Sequence, residues 1–218
     1  MKTSNLFTAI ALILATVVTA SLSPAQMRSG KLGVGVGGSL YLFNPNLKDN
    51  LLKGGGGASL SYSIMEHVGL LASLGGGQLG WKDDFGFSNT TTVLSGDLKV
   101  SYDVLPHSTF NPFIFVGAGG MYFDPRSDAG NYLAATADKI DVTYLGGIGF
   151  DFFFSEFTSL TISGDFVQTN TDKLDMQKGG RTSPESYSRV NLEFLYYFFD
   201  QDYITRLLKA LEERYSKK

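Results

Sequence analysis

Apolar and polar residues alternate with period two through most of the chain. In 31–43, Leu32, Val34, Val36, Leu40 and Leu42 share one face, while Gly33, Gly35, Gly37 and Ser39 share the other. Successive side chains of a strand point to opposite faces, so this pattern predicts a strand and excludes a helix. The same alternation recurs at 56–65, 92–104, 139–154, 157–167 and 187–199. In 92–104, Leu94, Leu98, Val100, Tyr102 and Val104 oppose Ser95, Asp97, Lys99, Ser101 and Asp103. Two further segments, 67–80 and 112–123, alternate less cleanly because glycine and apolar residues occupy both faces. The pattern predicts eight strands, each about as long as a tilted membrane-spanning strand.

The connections alternate as well. Those at 65–67 and 154–157 are short, and the one at 105–111 is modest. The others, around 44–55, 82–90, 124–138 and 168–186, are longer and rich in Asn, Asp, Gly, Ser, Thr and Lys. Short inner turns against long outer loops are the habit of bacterial outer-membrane barrels. An even strand number places both chain ends on the periplasmic side. Sorted by height along the strands, aromatic residues gather toward both ends, as interfacial girdles do. The outer girdle is predicted from Tyr41, Phe43, Trp81, Tyr122, Phe123, Tyr144, Phe166 and Tyr187. The inner one is predicted from Tyr62, Tyr102, Phe113, Phe150, Phe152, Phe154, Tyr196 and Phe198.

Both termini depart from the alternation. Lys2, the apolar run Leu6–Val18 and the small residues that follow make an export signal, with cleavage expected after Ala25 or, alternatively, after Ala20. The run falls short of the ~20 residues of a spanning helix. At the other end, Ile204, Leu207, Leu208 and Leu211 form an apolar stripe at helical spacing, predicting an amphipathic helix over 200–218 on the periplasmic side. It would pack against the barrel or the inner leaflet, or dock a periplasmic partner.

Composition narrows the chemistry. With 18 basic and 21 acidic residues the net charge is −3, so no basic field exists for nucleic acid. Cysteine is absent, which excludes disulfides, thiolate metal sites and a thiol nucleophile. The stretch GVGVGG at 33–38 reads GxGxxG, but a dinucleotide loop needs a strand before the glycines and a helix after them. Here the glycines lie inside a strand that continues as SLYLF, so they are expected to face a narrow lumen and make room for long side chains opposite. The same inward faces carry Asp97, Lys99, Asp103, Asp141, Asp151, Asp165, Arg189 and Glu193. These predict a lumen charge network, with Arg189 and Lys99 as its main cations. His67 and His107 fall in inner turns, away from outer-leaflet lipid chemistry, and no catalytic, cofactor-binding or metal-ligating set emerges. The outer loops carry Asp83, Asp84, Asp124, Asp128 and Asp138, read as solvated loop acids in preference to a divalent-cation site.

With export signal, strand count, loop alternation and a last strand ending FLYYFF, residues 1–199 resemble the small outer-membrane β-barrel superfamily, the OmpA/OmpX-like or porin-family barrels. The resemblance implies that the barrel-assembly machinery reads the last strand, to whose signal Asn191, Tyr196 and Phe198 conform. Glu193 stands where that signal has glycine, and a tail follows the terminal aromatic. Only about 19 residues follow the last strand, so the peptidoglycan-binding domain of larger members is not expected.

The expected architecture is therefore all-β: a signal peptide over 1–25, an eight-stranded antiparallel up-and-down transmembrane β-barrel over 26–199, and a short C-terminal α-helix over 200–218. The expected role is non-enzymatic, in envelope integrity and surface-loop contacts, with outer-membrane lipid as its surroundings. The alternatives are a narrow channel for ions or small solutes and a membrane-embedded lipid-modifying enzyme.

Overall fold

The computed structural model describes residues 30–44, 49–82, 88–127, 139–170, 174 and 185–200. The predicted signal peptide lies outside the described residues, as does the predicted tail helix beyond Asp200, the residue that ends the last strand. Among the described residues nine strands follow one another: β1 (Lys31–Asn44), β2 (Asp49–Leu51), β3 (Lys53–Ser63), β4 (Val68–Lys82), β5 (Ser88–Asp103), β6 (Phe110–Ser127), β7 (Ile140–Phe153), β8 (Thr158–Thr169) and β9 (Ser186–Asp200). No helix occurs among the described residues.

Eight of these strands close into an antiparallel barrel. Each long strand pairs with the next long one, and β9 returns to pair with β1 from Lys31↔Asp200 to Asn44↔Ser186. Closure matters because hydrocarbon offers no partner to an unpaired backbone group. The three-residue β2 was not foreseen. It lies beside the outer end of β4, pairing Asp49↔Lys82 through Leu51↔Gly80, and is almost continuous with β3. Strands β4, β5 and β6 also run further outward than their apolar alternation. Their outer ends, such as Ser88–Thr92 and Asp124–Ser127, are polar and continue the ladder.

The inner connections are tight. Ile64 N–H donates to the Val68 carbonyl at 2.9 Å in the β3–β4 turn, and Phe154 N–H to the Thr158 carbonyl at 3.1 Å in the β7–β8 turn. Between β5 and β6, Asn111 Oδ1 accepts from Leu105 N–H at 3.0 Å. The centres of the long outer connections lie outside the described residues.

Burial is inverted relative to a water-soluble domain. Leu74 and Ile140 are 72% and 77% exposed, whereas Asp165 and Arg189 are 4% and 5% exposed. Valines, leucines and isoleucines on alternate positions form a continuous apolar outer surface, far larger than the patches soluble monomers expose. The opposite pleat fills the interior.

The interior explains the lumen glycines. A Cβ on Gly77 or Gly55 would fall 2.3 or 2.6 Å from the Tyr41 ring, which reaches from β1 across β3 to β4. On β7, a Cβ on Gly149 or Gly147 would strike Phe113 or Phe115 at 2.3 or 2.6 Å. Bare backbone on one strand is the seat for a ring from another.

Parity corrects the predicted girdles. Tyr41, Phe43, Trp81, Phe123 and Tyr187 are at most 2% exposed and point inward, and Phe113 on the inner side is also buried. Height along the strand had grouped them with Tyr122, Tyr144 and Phe166, which do face outward. The pleat decides instead: adjacent Tyr122 and Phe123 must take opposite faces. Of the inner set, Tyr102, Phe150, Phe154, Tyr196 and Phe198 are exposed on the lipid side, while Tyr62 and Phe152 are half-buried.

Candidate functional site

The candidate site is the lumen, built in layers. The outermost layer is apolar and aromatic. Phe43 meets Trp81 with ring centroids 5.5 Å apart, and Tyr41 stacks on Tyr187 at 6.1 Å. Leu79, Val93, Met121, Phe123, Leu145 and Val167 complete the layer. Leu174, from the β8–β9 connection, is fully buried in it, held by Thr91 Oγ1 donating to its carbonyl at 2.8 Å. Sequence reasoning missed this layer as a plug, because its members look like girdle residues until their parity is applied.

Beneath it lies a charged crossbar. Arg189 on β9 donates Nη2–H to Asp165 Oδ2 at 2.6 Å and Nε–H to Asp165 Oδ1 at 3.1 Å, on neighbouring β8. The same guanidinium reaches β5, where Nη2 donates to Asp97 Oδ2 at 2.9 Å and Nη1 to Ser95 Oγ at 3.2 Å. In the ring order, β5 stands four strands from β9, on the opposite wall. One side chain therefore spans the bore. Lys99 Nζ lies 3.8 Å from Asp165 Oδ2 and 5.3 Å from the Phe115 ring centroid. Two cations thus meet two carboxylates, all of them buried, and each of the three guanidinium nitrogens of Arg189 has an acceptor.

The remaining predicted network residues sit apart from the crossbar. Glu193 reaches across Gly35 of β1 to accept a hydrogen bond from Ser59 Oγ on β3; a Cβ on Gly35 would collide with it. Asp151 accepts from Thr161 Oγ1 at 2.5 Å, and Asp103 from Asn111 Nδ2 at 2.8 Å. Asp141 stands near the outer end, where it accepts from the backbone of Asn170 at 2.8 Å. Two cavities of about 80 and 70 Å³ lie along this polar zone, both lined by Lys99, Thr161 and Glu193, each with room for several waters.

Two clusters lie outside the bore. At the inner turns, His67 Nδ1 donates to the Asp103 carbonyl at 2.6 Å, its ring stacks on Tyr102 at 5.4 Å, and His107 Nε2 bonds Glu66. At the outer rim, Asp124 accepts from Lys139 Nζ at 2.6 Å and from Arg126 Nε and Nη2 at 3.1 Å each. The Asp124 carboxylate, accepting that bond, holds the Lys139 ammonium above the ordinary lysine range. Asp83, Asp84, Asp128 and Asp138 lie outside the described residues, as do Ile204, Leu207, Leu208 and Leu211. Among the described residues no three His, Asp or Glu side chains come together as a metal site.

An inside-out barrel with a salt-bridged bore matches one family. The sequence model of the outer membrane protein beta-barrel domain covers residues 10–198. The chain belongs to that family. It is a protein of the bacterial outer membrane. No curated protein matches the sequence. Among solved structures, the neisserial surface protein A superposes with a TM-score of 0.53 at 9% identity, covering 77% of this chain and 97% of that one. Ail, the attachment invasion locus protein of Yersinia pestis, superposes with a TM-score of 0.51 at 13% identity, covering 78% of this chain and 99% of that one. At such identities the likeness is one of fold.

Proposed function

We propose that this barrel is a non-enzymatic anchor. It adds to envelope integrity and holds its long outer connections at the cell surface for contact with other molecules. One observation carries the reading: the Arg189 crossbar joins opposite walls beneath an apolar layer, so side chains obstruct the bore at that height. An obstructed bore suits a rigid support more than a conduit. Both histidines sit beside Glu66 at the inner turns, remote from the outer leaflet, which speaks for a non-enzymatic role. Two of the structures that share the fold bear names that speak of attachment and of the cell surface, in keeping with this role. Strand β9 ends with Tyr196 and Phe198 facing lipid, suited to recognition by the barrel-assembly machinery.

The two polar cavities support a second reading, a narrow conductance gated at the crossbar. Planar-bilayer recording separates them. The anchor predicts a silent purified barrel together with protease cleavage of 128–138 or 175–184 on intact cells. Regular conductance steps from the unmodified protein would overturn it.

A further inference from the structure

The outer mouth of the bore holds one residue that belongs to no strand. Leu174 is fully buried in the apolar layer, in one cluster with Leu79, Trp81, Val93 and Phe123. Its two backbone groups are met by side chains. The N–H donates to Glu185 Oε2 at 2.6 Å, and the carbonyl accepts from Thr91 Oγ1 at 2.8 Å. Thr91 lies on β5 and Glu185 just before β9, on opposite walls, so Leu174 is grasped from both sides.

Both gripping residues are held without help from Leu174. Thr91 sits in the ladder between Leu79 of β4 and Pro125 of β6. The Glu185 carbonyl accepts from Thr169 N–H at 2.9 Å, Thr169 Oγ1 at 2.8 Å and Gln168 Nε2 at 3.1 Å, which pins it to the end of β8. An apolar box, a carboxylate and a hydroxyl donor therefore stand in fixed places.

This set offers more than a peptide unit uses. A carboxylate bonds an ammonium more strongly than a neutral N–H. Two hydroxyls of the layer, Thr143 Oγ1 and Tyr187 Oη, are fully buried and have no hydrogen-bond partner among the described residues. Both stand on the Glu185 side of the bore: Thr143 is opposite Thr169 in the ladder, and Tyr187 is two residues beyond Glu185. A buried hydroxyl left unpaired costs stability, and a ligand that pairs it recovers that cost. Leu174 has one backbone N–H to give; an α-ammonium has three.

We infer that the outer mouth is a binding site for a leucyl residue with a free α-ammonium, as at the N-terminus of a peptide, and that Leu174 is its resident competitor. The isobutyl group of the ligand fills the apolar box. Its ammonium meets Glu185, Thr143 and Tyr187, and its carbonyl accepts from Thr91. The inference goes beyond the anchor reading and is independent of whether the bore conducts. A tethered competitor acts at about millimolar effective concentration, so the unmodified barrel takes up the free ligand weakly.

Trp81 is the single tryptophan of the chain and lies in the layer, so its emission reads occupancy of the site. The test adds L-leucinamide, N-acetyl-L-leucinamide and glycinamide to the full chain in neutral detergent, as the unmodified protein and as L174G. L174G is expected to shift Trp81 emission to the red. Leucinamide is expected to reverse that shift saturably, binding about tenfold tighter than to the unmodified protein. Loss of the ligand's charge in the acetylated probe, or of the carboxylate in L174G/E185Q, is expected to weaken binding by about tenfold. Glycinamide is expected to leave the emission red-shifted. Heat-modifiable gel mobility reports that each variant is folded. Should L174G not fold, the Trp81 indole N–H signal of the unmodified protein is followed by NMR, and it is expected to move with leucinamide and not with glycinamide. Equal responses of L174G to leucinamide and its acetylated form would overturn the inference, because any apolar molecule would then serve. So would a folded L174G with no saturable response to leucinamide, or an indole signal that moves equally with leucinamide and glycinamide or with neither.

Discussion

Glycines on the two faces of the wall behave differently. Inside, each of those that seat a ring or a carboxylate has an atom of another strand pressed against the place its Cβ would take; at Gly147 the Gly164 carbonyl oxygen is 2.2 Å away and Phe115 is 2.6 Å away. Outside, Gly54 has nothing within 4 Å and Gly38 meets its first atom at 3.8 Å. The inner glycines are set by packing within this chain, and the outer ones are not. One residue type, in one set of strands, thus answers to two solvents: a crowded polar bore and fluid hydrocarbon.

The largest expected effect lies in the bore. Arg189→Met leaves Asp165 and Asp97 buried without their main partner and is expected to cost about 3–5 kcal/mol. The urea midpoint for unfolding from vesicles should drop sharply, and the heat-resistant gel band should weaken. An unchanged midpoint would mean that the crossbar carries no stability. Next comes Gly147→Ala, where a methyl meets backbone that cannot turn aside, with an expected cost of about 1–3 kcal/mol in the same assay. Ser59→Ala removes the donor to Glu193 and is expected to cost roughly 1–2 kcal/mol; loss of the contact can be followed through the mobility of the β3 amides by NMR. The smallest effect belongs to the outer face. Gly54→Ala is expected to leave stability unchanged or raise it by up to ~1 kcal/mol, because the unfolded chain loses freedom and the folded one loses no space. Equal losses for Gly147→Ala and Gly54→Ala would erase the distinction between the two faces.

The same distinction governs how much the sequence reveals. The alternation over 92–104 was legible because lipid and bore demand opposite polarity at successive residues. The outer ends of β5 and β6 were not, since around Thr90, Asp124 and Arg126 polar residues follow one another without apolar alternation. The charged lumen residues could be named from parity alone. Their pairing could not: Arg189 meets Asp97 across the bore only because strand stagger brings the two to one height, and stagger leaves no mark on local pattern. Aromatic residues misled for the complementary reason. Tyr41 and Phe43 stand at girdle height, yet they share the pleat of Gly37 and Ser39 and so fill the bore.

Alternation of exposure along a single strand is the claim on which everything else stands, and the absence of cysteine makes it directly measurable. Single cysteines at 190 through 194 of β9, each carrying an environment-sensitive fluorophore, can be challenged with quenchers attached to lipid acyl chains. The account predicts strong quenching at Val190, Leu192 and Phe194 and little at Asn191 and Glu193. Uniform quenching, or none at any of the five positions, would contradict it.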